Sequence, residues 1–254
     1  MQIDAYEHGV PSWVDVTSKD FEVSQKFYSD MFGWQIERGP DEFGGYSMAV
    51  LNGRMVAGVS PAMAPEAPSV WSTYVDVASV DDTLAKATAA GGTTIAGPMD
   101  VGEAGRMAVF SDPDGAVIGL WQPGEHKGAG LVNEPGTWTW SELLCDDPER
   151  EKAFYTGVFG WGTVTHGEGA GAYTEWQVGD RSIGGMMQKP ADMPAGSPSY
   201  WVVYIAVEDI GEAAKRLEGL GGSIIVPTVE IDQGSFAAVA DPVGAIFNLF
   251  QQKS

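Results

Sequence analysis

Alternating apolar and polar positions open the chain at Ser12-Trp13-Val14-Asp15-Val16, a period of two that predicts a strand. The period then lengthens. Val23, Phe27, Tyr28 and Met31 recur at helical spacing behind Asp20, which predicts a capped helix over roughly 21–32 ended by Gly33. Tyr46–Leu51 and Met55–Ser60, joined by Asn52-Gly53, predict a hairpin. The Pro/Ala-rich stretch Pro61–Pro68 reads as a linker. The same order follows again: a strand over Trp71–Val77, a helix from Val80 to about Ala90, Gly91-Gly92, and three more strands ending at Gln122.

The whole pattern recurs. Phe27-Tyr28 with Phe32-Gly33-Trp34 returns as Phe154-Tyr155 with Phe159-Gly160-Trp161, displaced by 127 positions (154 − 27). The displacement carries Trp13 onto Trp140 and Tyr46 onto Tyr173, and Asp112-Pro113-Asp114-Gly115 reappears as Asp241-Pro242-Val243-Gly244. The chain is a tandem repeat of two domains, each built from two strand-helix-strand-strand-strand modules. The expected boundaries are residues 1–125 and 136–254, with a linker over 126–135 in a Gly-rich stretch.

Charge narrows the function classes. Fourteen Lys and Arg against 35 Asp and Glu leave a net charge of −21, which repels nucleic acid and anionic lipid and leaves attraction of cationic ligands open. One cysteine, Cys145, excludes an intrachain disulfide and fits a reducing cytoplasm. No signal-like start and no apolar run of roughly 18 residues is present, so a cytoplasmic protein without a membrane partner is expected.

The Phe-Tyr and Phe-Gly-Trp residues after the first strand, and Asp112–Gln122 closing the first half with its counterpart Asp241–Gln251, resemble those of the vicinal-oxygen-chelate superfamily. That superfamily comprises glyoxalase, bleomycin-resistance and extradiol-dioxygenase proteins, and the chain resembles its actinobacterial two-domain glyoxalase-like members. The resemblance implies an α+β fold: four βαβββ modules forming two cup-shaped sheets, helices outside and a ligand cavity inside. The residues do not say which modules pair to form each cup.

The resemblance also implies where a metal would be held, and the positions are empty of donors. They fall on Trp13, Ser72, Gly119 and the strand ending near Gly58 in the first half, and on Trp140, Val202, Asn248 and the strand near Gly185 in the second. A divalent ion needs three or four converging His, Glu or similar groups. His8 lies in the N-terminal segment, His126 in the linker and His166 in a Gly-rich loop, and a surface or loop role is expected for each. No metal and no cofactor are therefore expected.

Strand parity leaves a different set facing the cups: Trp13, Asp15, Ser72, Tyr74, Asp76 and Trp121 in one, Trp140, Glu142, Tyr204 and Asn248 in the other. Arg106 is a further candidate, as an anchor for a ligand oxyanion or in an ion pair with one of the many acids. A Trp beside a carboxylate on a concave face supplies a flat apolar wall and an orienting charge, or it merely fills space. Desolvated, Asp15 or Glu142 is also a candidate general base.

The first expectation is a metal-independent glyoxalase-like protein that binds a small aromatic or polycyclic metabolite. The alternative is a metal-independent lyase, isomerase or tailoring enzyme using Asp15 or Glu142. A metal-dependent glyoxalase or dioxygenase ranks third. A monomer made by internal duplication, or a weak homodimer, is the expected assembly.

Overall fold

The computed structural model describes residues 1–64, 66–191, 193 and 196–253, so Pro65 of the expected Pro61–Pro68 linker and the terminal Ser254 lie outside the described residues. The first repeat runs β1 (Pro11–Ser18), α1 (Phe21–Phe32), β2 (Gln35–Ile36), β3 (Ser47–Leu51), β4 (Arg54–Pro61), β5 (Val70–Asp76), α2 (Val80–Ala89), β6 (Thr93–Val101), β7 (Gly105–Ser111) and β8 (Val117–Pro123). The second runs β9 (Trp138–Cys145), α3 (Pro148–Phe159), β10 (Gly162–His166), β11 (Tyr173–Val178), β12 (Arg181–Gln188), β13 (Tyr200–Ala206), α4 (Ile210–Gly219), β14 (Ser223–Ile231), β15 (Gly234–Ala240) and β16 (Ile246–Gln252).

Each repeat folds into one eight-stranded sheet, in the orders β2-β3-β4-β1-β5-β8-β7-β6 and β10-β11-β12-β9-β13-β16-β15-β14. The two modules of a repeat meet where β1 runs antiparallel to β5, and β9 to β13. Each cup is therefore made within one repeat, the pairing that periodicity left open.

Local signals account for the elements. Asp20 accepts from the Val23 backbone and Gly33 takes a left-handed conformation, so α1 starts and stops where expected. Val23 is the exception on its predicted apolar face: it is exposed, and Phe21 and Ser24 are buried instead.

The helices lie on the convex faces, outside both cups, and there the repeats pack together. Tyr28 from α1 stacks on Trp34, meets Trp71 edge-on and contacts Phe247 of the second repeat. Tyr155 repeats this with Trp161 and Trp201, while Phe154 beside it reaches Phe110 of the first repeat.

The polar atoms of these aromatics also cross. Tyr28 donates to Asp241 Oδ2 at 3.0 Å, and Tyr155 donates to Asp112 Oδ2 at 2.8 Å. Each aspartate's other oxygen accepts two backbone N–H groups of its own tight turn. Trp34 Nε1 donates to Gly136 O, and Trp161 Nε1 to Gly9 O. The motif that announced the repeat is the device that joins its two copies.

The junction is asymmetric at one point. Ser24, which donates to Asp241 in one copy, is replaced by Glu151 in the other. Burial first, and then the neighbouring Asp112 charge, push the Glu151 carboxyl well above the usual carboxylate range and favour its protonated form beside Asp112.

Tyr28→Phe and Tyr155→Phe should each lower unfolding free energy by about 1–3 kcal/mol in chemical denaturation, because each leaves a buried carboxylate oxygen short of a donor. A carboxyl whose folded pKa is raised stabilises the fold below its unfolded pKa, and that contribution is lost as pH rises through the folded value. Stability should therefore fall as pH rises from the ordinary carboxylate range through neutrality, with Asp15 and Glu142 adding to the slope, and Glu151→Gln should remove the part due to Glu151.

Candidate functional site

On the concave faces, β1 places Trp13 opposite Tyr74 of β5, and Asp15 opposite Ser72. Trp13 Nε1 donates to the Tyr46 hydroxyl at 2.7 Å, and Tyr46 in turn donates to Asp15 Oδ2 at 3.1 Å. Burial pushes the Asp15 carboxyl up to about 6, although Tyr74, Tyr46 and Ser72 all favour its ionised form. Its second oxygen, Oδ1, is buried without a hydrogen-bond partner.

The second cup repeats the relay. Trp140 Nε1 donates to Tyr173 at 3.0 Å, Tyr173 bonds Glu142, and Tyr204 donates to Glu142 Oε1 at 3.1 Å. Burial pushes Glu142 up to about 7 against those two hydroxyls. Asn248, beside Tyr204 in register, is buried with Oδ1 unpartnered.

Of the expected residues, the structure thus gathers Trp13, Asp15, Ser72, Tyr74 and Trp121 in one cup and Trp140, Glu142, Tyr204 and Asn248 in the other. It does not bring in Arg106. Met107 faces Trp121 in register, so Arg106 and Gln122 turn to the helix side. There Gln122 accepts from the Val80 backbone, and Arg106 pairs with Asp81 at 2.8 Å and Asp100 at 2.7 Å. The ion-pair alternative holds for Arg106, and the oxyanion anchor is withdrawn. Asp76 is on the concave face, but its carboxylate is engaged by His8 Nδ1 at 2.7 Å.

His8 and His166 are exposed, paired with Asp76 and Glu175. His126 lies in the linker loop as expected, but it is buried rather than at the surface. The segment after β8 turns back across the end of the first cup, with Ala129 N bonded to Ser12 O and Gly130 N to Met55 O. This carries the His126 ring edge-on to Trp13 at 4.4 Å and to Trp121 at 5.5 Å. Burial lowers its pKa to about 4, so the ring is neutral, and neither ring nitrogen has a partner. Trp13 is 4% exposed beneath it, whereas its counterpart Trp140 is partly open to solvent.

The residues do not fit a metal of the kind the resemblance implies. Among the described residues no three His, Cys, Asp or Glu side chains form a group able to hold one. Aromatic groups stand in the space instead. A Cβ at Gly58 would overlap the Tyr46 hydroxyl, one at Gly119 the Tyr74 ring, and one at Gly185 the Tyr173 hydroxyl. Tyr46 and Tyr173 escaped the sequence reading as site residues. The signal was present in their exact 127-position match together with the opposed glycines.

An open groove of about 660 Å³ lies at the seam between the repeats, lined by Phe32, Pro135, Asp209 and Arg216 among others. Several of its polar groups are already engaged: Arg216 donates to Asp30 O, Asp209 caps α4 through the Glu212 backbone, and Glu212 accepts from Lys215. Among the described residues, Asp15 Oδ1, both His126 ring nitrogens and Asn248 Oδ1 are buried in the cups without partners, which makes the cups the better candidate site.

Gly58→Ala and Gly185→Ala should expel Tyr46 and Tyr173 and break the indole-hydroxyl-carboxylate relays. The expected readouts are a changed Trp fluorescence spectrum and a loss of about 1–3 kcal/mol of stability.

The sequence profile of the Glyoxalase/Bleomycin resistance protein/Dioxygenase superfamily matches residues 11–120 and again 138–249. The chain is 42% identical over 256 residues to "Putative glyoxylase CFP32" of Mycobacterium tuberculosis, covering 97% of this chain and 96% of that protein. It is 31% identical over 258 residues to "Anthracycline biosynthesis protein DnrV" of Streptomyces peucetius, covering 96% and 93%. The Mn(II)-bound glyoxalase from Novosphingobium aromaticivorans is similar in fold, with a TM-score of 0.67 at 17% identity, over 96% of this chain and 82% of that one. So is the 2,3-dioxygenase LapB from Pseudomonas sp. KL28, with a TM-score of 0.67 at 15% identity, over 98% and 94%. At such identities the structural likeness carries the fold alone. With both repeats matched by one profile, the chain belongs to the glyoxalase/bleomycin-resistance/dioxygenase superfamily.

Proposed function

We propose that this protein binds a small aromatic or polycyclic metabolite in its Trp-lined cups without the help of a metal. The observation that carries the reading is the relay from indole to tyrosine hydroxyl to buried carboxylate, built twice on concave faces. An indole edge gives a ligand ring a flat wall, and a carboxylate with spare acceptor capacity fixes its orientation. Relatives named for anthracycline biosynthesis support an aromatic small molecule as ligand. The working division is a first domain over 1–125, a linker over 126–135 and a second domain over 136–254, with sheets within 11–123 and 138–252. No helix among the described residues is long and apolar enough to cross a membrane.

One observation favours a second reading, a metal-independent lyase, isomerase or tailoring enzyme. Glu142 sits near 7, the range in which a carboxylate is an effective general base at neutral pH, and Asp15 lies close to it. Such a base would take a proton from a carbon or hydroxyl of the bound ligand, with Tyr173 and Tyr204 holding the Glu142 carboxyl in place.

A panel of aromatic metabolites should raise the melting temperature through at least one compound class, and Trp13→Ala or Trp140→Ala should remove that shift. Stabilisation by no class would refute the binding reading. If turnover of a bound compound is found, the double variant Asp15→Asn, Glu142→Gln should abolish it, and undiminished turnover would eliminate the enzyme reading.

A further inference from the structure

The polar groups of the second cup can be accounted for atom by atom. Trp140 spends its only donor on Tyr173, whose hydroxyl is spent on Glu142. Asn248 donates to Tyr204, and Tyr204 donates to Glu142. Asn248 Oδ1 is buried beside Tyr204 without a hydrogen-bond partner. Two acceptors remain for a ligand: Asn248 Oδ1 and the residual lone pairs of Glu142, whose Oε1 already accepts from Tyr204.

The surroundings select among donors. Glu142 is 6% exposed, and Trp140, Tyr173, Tyr200, Phe236 and Phe250 stand partly open around its mouth. Strands β9, β11, β13, β15 and β16 contain no Lys or Arg, and Arg181 at the start of β12 pairs with Glu7 at 3.8 Å. Aromatic faces around an unneutralised carboxylate attract cations, and the whole-chain charge of −21 steers them inward. Resting on the reading of the cups as ligand sites, we infer that the second cup takes an aromatic amine, its protonated nitrogen held between Glu142 and the Asn248 carbonyl oxygen.

The first cup is not equivalent. Gly119 stands where Asn248 would be, and His126 covers Trp13. The amine site is therefore assigned to the second cup alone.

Three indoles of matched size test the assignment by calorimetry at about pH 8: tryptamine, neutral 3-propylindole and anionic indole-3-propionate. Tryptamine should bind about tenfold or more tighter than either of the others. Glu142→Gln, which keeps the shape of the side chain, should erase that preference, and Asn248→Leu should reduce it severalfold while leaving 3-propylindole unchanged. Glu142 faces Tyr173, Tyr200 and Tyr204, with Glu175 and its partner His166 behind Tyr173, and burial brings the Glu142 carboxyl to about 7. Lowering the pH to about 6 should therefore weaken tryptamine by roughly tenfold and leave 3-propylindole unaffected.

Equal or tighter binding of the neutral or anionic indole, dependent on Trp140, would overturn the amine assignment and leave the cup as an aromatic site. Tryptamine binding that survives Glu142→Gln would overturn it as well. Failure of all three indoles overturns the amine assignment, and the broader reading is then decided separately by the metabolite panel.

Discussion

A tyrosine hydroxyl from each repeat ends on a buried aspartate in a tight turn of the other, and the architecture is arranged around that exchange. The aspartate already closes its own turn with one oxygen. Its second oxygen is under 4% exposed territory and requires a donor that its own repeat does not provide at that point. The other repeat provides it, from a helix whose remaining face carries the aromatic contacts. Convex faces are thereby committed to each other, and the concave faces are left free. The burial of some two dozen large side chains follows from the same geometry, since Trp34, Trp71 and Phe247 on one side, and Trp161, Trp201 and Phe110 on the other, pack around those tyrosines.

The cups show how aromatic side chains fill a concave wall built on glycines. A glycine at 58 or 185 removes a side chain from the concave wall, and a tyrosine from the neighbouring hairpin strand occupies the space. The hydroxyl then serves as an intermediary between an indole and a carboxylate, so the substitution leaves no void and no unpaired indole N–H. What results is a pair of aromatic walls with an acid at the bottom, one covered by a histidine and one open.

Much of the fold was legible because it is written in local periods and in repetition. Asp20, Gly33, Asn52-Gly53 and the turn at Asp112 each announce themselves within a few residues. The concave placement of Trp13, Asp15, Trp140 and Glu142 followed from parity along single strands. Failures came where position depends on distant chain. Arg106 was one residue out of phase with Trp121, a fact held in the β7–β8 register rather than in the sequence of either strand. His126 looked like a linker residue because its burial depends on where the linker turns. Tyr46 stands first in its predicted strand but lies just before β3, so alternation along that strand does not show which wall its ring meets. The proximity of Glu151 and Asp112 joins groups 39 positions apart (151 − 112), and only the docking of α3 reveals it.

The linker that carries His126 has a further consequence when the two repeats are considered as partners. Their contact has the reciprocity of a twofold dimer: what one gives at Tyr28 it receives at Asp112. In a true homodimer any change to one cup is imposed on both. Joining the copies in one chain keeps the interface at high effective concentration and releases that constraint, so a glycine at 119 can coexist with an asparagine at 248, and Asp15 with Glu142. Covalent tandem arrangement is thus a way of breaking symmetry: it lets one molecule keep two concave sites of the same descent and offer them to different chemistry.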